Sequence, residues 1–204
     1  MSIKLHKGAI PADLDFGDAI AIDTETMGLN THLDPLCLVQ LSSGDGNAHI
    51  VQLDRKTYDA PNLKKLLADE KTLKIFHFAR FDIAVIKKYL GVDCGPVYCT
   101  RTASRLARTY TDRHGLKQCC RKLLGIELNI QQQSSDWGAE QLKDVQLEYA
   151  ASDVYHLHAL KEKLDIMLER EGRTQLAQEC FDFLPTRAAL DLAGWPDEDI
   201  FAHA

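Results

Sequence analysis

The sequence predicts an α/β fold in which a mixed sheet is flanked by helices. Strand-like segments rich in β-branched residues crowd the stretch before residue 55, and from residue 61 onward helical segments dominate with one further strand among them. A chain of 204 residues, 45% hydrophobic and 26% charged, is also long enough to bury a core of that kind.

The strand segments are Ala19 to Asp23, Leu36 to Ser42 and Ala48 to Leu53. The turn sequence Gly44-Asp45-Gly46-Asn47 between the second and third points to an antiparallel meander. A helix is expected from Pro61, at an N1-like position, to Asp69, then a strand over Leu73 to Phe78 and a helix over Phe81 to Leu90 stopped by Gly91. Further helices are expected over Arg101 to Tyr110, Gly115 to Leu124, and one long segment from Asp144 to Leu168. After Gly172 the pattern stays amphipathic but is interrupted by Pro185, and the final WPDEDIFAHA reads as an extended tail.

Thirty Asp and Glu against 24 Lys and Arg give a net charge of −6, which argues against a protein that coats long nucleic acid through an overall positive field. No apolar run approaches the roughly 20 residues needed to span a bilayer, and the first residues lack the apolar region of a secretory signal, so a cytoplasmic location is expected. The six cysteines form no CxxC pair and lie in apolar or helical stretches, as reduced core thiols would.

Four acids stand where a purely structural explanation is strained. Asp23 and Glu25 follow the apolar run AIAI, and strand alternation points both carboxylates to one side. A divalent cation between them would relieve their repulsion; the plainer explanation is a solvated strand end. Asp82 falls at a strand-to-helix junction, where it could simply complement the helix N-terminus. Tyr149 and Asp153 are four apart on a helix and share a face turned toward the interior by Leu157 and Leu160, where an Asp needs a partner.

Together these motifs are more specific than each alone. The stretches IDTETMGL, LCLVQLS, HFARFD, CTRTASRL, GLKQCCRKLLG, QSSDW and EYAASDV resemble, in order and spacing, the DEDDy 3′-to-5′ exonucleases of the ribonuclease D type, covering Ala19 to Leu160. Two departures are visible. The chain leaves no room for the additional C-terminal helical domains of ribonuclease D proper, and Phe78 follows His77 where that family often has Asn. Both resemble the short nanoRNase C branch. The resemblance implies an RNase H-like (DnaQ-like) fold with a mixed five-stranded sheet, residues 1–172 as exonuclease domain and 173–204 as its helical extension and tail.

It further implies hydrolysis of very short single-stranded RNA, dinucleotides especially, to nucleoside 5′-monophosphates, with two divalent ions, Mg²⁺ or Mn²⁺, per site. Asp23, Glu25 and Asp153 would hold one ion, Asp23 would bridge to the second with Asp82 contributing directly or through water, and Tyr149 would orient the attacking water or help deprotonate it. Thr26, Met27, Gly28 and His77 would contact the 3′ end, while Leu29 and Phe81 wedge against bases and Trp137 forms a wall; for the last three, ordinary core packing is the competing explanation. A homo-octameric ring is the implied assembly, with the segment after Gly172 the expected place of subunit contacts. Trimming of longer RNA or DNA, and a catalytically silent binding module, are the competing functions.

One region offsets the acidic total. Arg101 to Lys122 holds seven Lys and Arg and a single acid, Asp112. Helical spacing puts Arg101, Arg105 and Arg108 on one outer stripe, either a phosphate guide or subunit contact, or a solvated face pairing with acids such as Glu140, Asp144 and Glu148.

Overall fold

The computed structural model describes residues 2–129, 131–132 and 134–203. Its centre is a mixed sheet of six strands: β1 (Ser2–Lys7), β2 (Ala19–Thr26), β3 (Leu36–Ser42), β4 (Asn47–Gln52), β5 (Leu73–Phe76) and β6 (Val97–Cys99), in the order β1-β4-β3-β2-β5-β6. The expected meander is β2, β3 and β4, paired antiparallel, while β5 joins β2 in parallel and β6 joins β5 in parallel. All seven residues of β3 are buried, as expected of a strand covered on both faces.

The five-stranded expectation is corrected to six. β1 lies parallel to β4 at the sheet edge. Its alternation of Ile3 and Leu5 with Lys4 and His6 leaves most of it exposed, so it looks like a polar leader until the distant pairing partner is known. β6 has three residues, too few for periodicity to register.

The helices are α1 (Pro61–Ala68), α2 (Ala79–Val85), α3 (Thr100–Ala107), α4 (Leu116–Cys119), α5 (Asp144–Tyr155), α6 (Leu157–Arg170) and α7 (Thr174–Leu192). α2 and α4 each run on into a wider π turn, over Ile86–Leu90 and Cys120–Leu124, and each of those ends at a left-handed glycine, Gly91 or Gly125. The single helix expected from Asp144 to Leu168 is two, because His156 leaves helical geometry between them. Conversely, Pro185 sits inside α7 without ending it.

α5 packs on β1 to β4, α6 on β2 and β5, and α7 on α2, β6 and α3. Leu157, Leu160, Leu164 and Leu168 form the buried stripe of α6. Deleting one such Leu side chain costs about 2–5 kcal/mol. The tail is not free: the Arg187 side chain donates to the Trp195 carbonyl and that of Arg80 to the Pro196 carbonyl. All six cysteines are unpaired thiols, five of them buried. Among the described residues no helix is long and apolar enough to cross a membrane.

The basic stripe is also revised. α3 ends at Ala107, and Arg108 leaves helical geometry and turns inward, where it is 2% exposed and donates to Ser104 Oγ and the Arg113 carbonyl. Arg105 remains exposed, and the Arg101 guanidinium lies 4.9 Å from the centre of the Phe78 ring.

Candidate active site

The last residues of β2 and the face of α5 that packs on it bring three carboxylates together. Ligand atoms of Asp23, Glu25 and Asp153 all lie within 4.8 Å of one another. Alternation along β2 aims Asp23 and Glu25 at α5, while Thr24 points away and donates from Oγ1 to Asp82 Oδ1 at 2.6 Å. That bond, between two buried groups, brings the first turn of α2 to the strand. Sequence reasoning passed over Thr24, although its place between the two acids marks it as the residue facing the other way.

The electrostatics follow from burying four acids in one place. Burial, then Asp82, Asp153 and Glu25, push the Asp23 carboxyl well above the usual range; burial, then Asp153 and Asp82, do the same to Glu25. Burial lifts Asp82 to about 7 against the opposing Thr24 hydrogen bond, and lifts Asp153 to about 7, with the Tyr149 phenol beside it acting the other way. Burial and the nearby carboxylates raise the Tyr149 hydroxyl as well, so it stays protonated at neutral pH. Converging carboxylate oxygens of this kind are the donor set that a hard divalent cation takes, and a cation would remove the repulsion that raises these groups.

The segment after β2 is held tightly. Thr26 donates from its hydroxyl to the Gly28 carbonyl, Met27 N–H donates to the Pro35 carbonyl at 3.1 Å, and Asn30 N–H donates to Asp34 Oδ2 at 2.8 Å. A side chain at position 28 would place its Cβ 2.4 Å from Asp34 Oδ2, so any larger residue displaces the Asp34 carboxylate. Leu29 at the turn is 88% exposed and Met27 46%. At the loop's far side, His32 Nε2 meets the Asp191 carbonyl of α7 at 3.1 Å. The Asp191 carboxylate takes a bidentate pair from Arg80, at 2.5 and 2.7 Å, and is also bonded by Arg187.

His77 is half-buried, with Nδ1 2.8 Å from Thr100 Oγ1, whose hydroxyl also lies 3.1 Å from the Phe76 carbonyl. Its Nε2 is shielded from solvent. Burial and then Arg101 push the imidazole down to about 3, keeping it neutral.

The structure separates the three expected base contacts. Leu29 projects into solvent, Phe81 is half-buried against the core, and Trp137 is 2% exposed with its ring 5.8 Å from that of Tyr149. Trp137 also borders a cleft of about 770 Å³ with Cys37, Gln52, Arg55 and Lys7. Phe78, which the sequence did not single out as a contact, is 44% exposed in left-handed geometry at φ 78°. The signal available was an aromatic at the helix entry four residues before Asp82.

Residues 8–169 match a family model described as 3′-5′ exonuclease. The chain belongs to the 3′-5′ exonuclease family. NrnC of Brucella melitensis, solved with bound Mg²⁺, is 55% identical over the whole of both chains, with a TM-score of 0.96. The same protein solved bound to pGG is matched with a TM-score of 0.97. Ribonuclease D of Granulibacter bethesdensis is 35% identical over 160 residues, 78% of this chain and 40% of that protein. The chain therefore spans about 40% of the length of this curated ribonuclease D relative. The exonuclease is thus of the NrnC and ribonuclease D type, in a family that works with divalent metal, and its carboxylate cluster fits that requirement. Its α7 lies beyond the residues matched by the family model yet is bonded to Arg80, two residues from Asp82.

Proposed function

We propose that this protein is a two-metal-ion 3′-5′ exoribonuclease that hydrolyses very short oligoribonucleotides, dinucleotides above all, to nucleoside 5′-monophosphates. The observation that carries the reading is the convergence of Asp23, Glu25 and Asp153 beside Asp82 and Tyr149. The whole-length likeness to an NrnC solved with pGG supports the short substrate.

Asp23, Glu25 and Asp153 would hold one divalent ion, Mg²⁺ or Mn²⁺, and Asp23 with Asp82 would hold the other. When bound, the pair supplies water activation at neutral pH and charge stabilisation at the departing 3′ oxygen. Tyr149, protonated and beside Asp153, orients the attacking water through its hydroxyl; it is too weak an acid to serve as its base. His77 hydrogen-bonds a sugar hydroxyl at the 3′ end, its ring held in place through Nδ1 by Thr100. Thr26, Met27 and Gly28 line the 3′ nucleotide, with Leu29 and Phe81 against its base and Trp137 walling the cleft. The strap-like tie of α7 to Arg80 and His32 supports residues 1–172 as the catalytic unit and 173–204 as its extension.

The test is Mg²⁺-dependent digestion of 5′-labelled RNA and DNA oligomers of about two to ten nucleotides. A sharp preference for two-nucleotide RNA supports the proposal. Equal rates at all lengths make the enzyme a general trimming nuclease, and no metal-dependent product defeats the reading.

A further inference from the structure

Gln40 lies at the middle of β3, directly opposite Asp23 of β2. Directly opposed residues of an antiparallel pair project from the same face, with Cβ atoms about 4.5–5.5 Å apart. The Gln40 side chain therefore shares the face on which α5 delivers Asp153 to Asp23 and Glu25. It is fully buried, and neither its amide nitrogen nor its amide oxygen has a hydrogen-bond partner among the described residues. A primary amide carries two donors and an acceptor, and burying all of them without partners is strongly unfavourable. On its other side β3 pairs Gln40 with Ile50, whose aliphatic side chain offers nothing polar.

Thr24 donates from its hydroxyl to Asp82, Tyr149 stands beside Asp153, and Asp23 has the Thr24 backbone N–H. Gln40 is the side chain the strand register sets beside Asp23. Outer groups that hydrogen-bond a ligating carboxylate fix its orientation, and their loss typically weakens metal binding about 10–100-fold.

We infer that Gln40 is a positioning residue of the metal site, whose amide N–H donates to the Asp23 carboxylate when that carboxylate ligates a divalent cation. This rests on the metal-dependent reading above. It assigns a partner, in the metal-loaded protein, to a buried amide that has none among the described residues. The sign of its stability effect therefore reverses between the two states.

The test replaces the amide by an apolar chain of similar length and volume, Gln40→Met, with Gln40→Leu as a second variant should the first pack poorly. Mg²⁺ and Mn²⁺ affinities are measured by calorimetric titration, and metal-free Tm by thermal unfolding in chelator, so neither readout depends on turnover. The expected result is about 10–100-fold weaker metal binding together with an equal or higher metal-free Tm. Unchanged affinity overturns the inference. So does a lower metal-free Tm in both variants, because the amide would then be satisfied without metal. If the unaltered protein binds neither ion, it is the two-metal reading that has failed, and the variants are not needed to show it.

Discussion

In chelator, the protein should lose stability as pH rises through the neutral range, and Asp82→Asn should remove much of that loss. Asp82 is 3% exposed, and burial moves its carboxyl from 3.8 to about 7. In the unfolded chain the group titrates at its ordinary value. Between about pH 4 and 7 the folded protein therefore keeps a proton that the unfolded chain has released, and raising the pH favours unfolding. The penalty is absent below pH 4, grows through this window and is complete above pH 7. About two of the three units lie between pH 5 and 7, about 3 kcal/mol at 1.36 kcal/mol per unit. Asp82 titrates together with Asp23, Glu25 and Asp153, so this is the scale of one group and is not multiplied by four. A domain of this size shifts about 2–4 °C per kcal/mol, so the Asp82 share is roughly 6–12 °C in Tm between pH 5 and 8.

Asp82→Asn preserves an oxygen to accept the Thr24 hydroxyl and has no proton to lose. The assay is thermal unfolding followed by circular dichroism from pH 5 to 8, with chelator and with excess Mg²⁺. The variant's metal-free Tm should rise relative to wild type as pH increases, and Mg²⁺ should stabilise wild type more than the variant. Parallel wild-type and variant curves in chelator would refute the reasoning, since they would mean that Asp82 is not held protonated by the fold.

Asp23→Ala or Asp153→Ala should lower kcat by about 10²–10⁴-fold with folding intact, read as monophosphate release; comparable turnover would defeat the two-metal assignment. Tyr149→Phe should lower kcat by at least about tenfold at unchanged KM, and a change confined to KM would remove its water-positioning role. Leu29→Ala should leave the unfolding free energy within about 0.5 kcal/mol of wild type, since the side chain is 88% exposed, and should raise KM for a dinucleotide several-fold. Asp191→Ala should destabilise by about 3 kcal/mol in denaturant unfolding, because it strips the shared carboxylate from Arg80 and Arg187; a cost below about 0.5 kcal/mol would mean that solvent satisfies both guanidinium groups equally well.

The parts of the site governed by short-range periodicity were legible in the sequence. Asp23 and Glu25 share a side because a strand repeats every two residues, and Tyr149 lies beside Asp153 because a helix returns after four. What joins those pieces was not legible. The Thr24 to Asp82 bond spans 58 residues, and the Arg80 to Asp191 pair spans 111. Gln40 could be read only as an interior strand residue until the register set it opposite Asp23. β1 was missed because its pairing with β4 is nonlocal and two of its six residues are lysines. Arg108 was misplaced because a helical projection assumes the helix continues, and α3 ends one residue earlier.

Phe78 sets stability and activity selection against each other. A bulky aromatic at φ 78° costs about 1–2 kcal/mol relative to ordinary backbone geometry, which Gly avoids and Asn tolerates. Directed evolution for heat resistance would therefore accumulate Gly or Asn at this position. Selection for turnover would keep the aromatic ring, exposed at the entry to α2 and covered by the Arg101 guanidinium. Libraries randomised at position 78 and sorted both ways would diverge, and the gap between the two winners would measure the strain retained at the entry to α2.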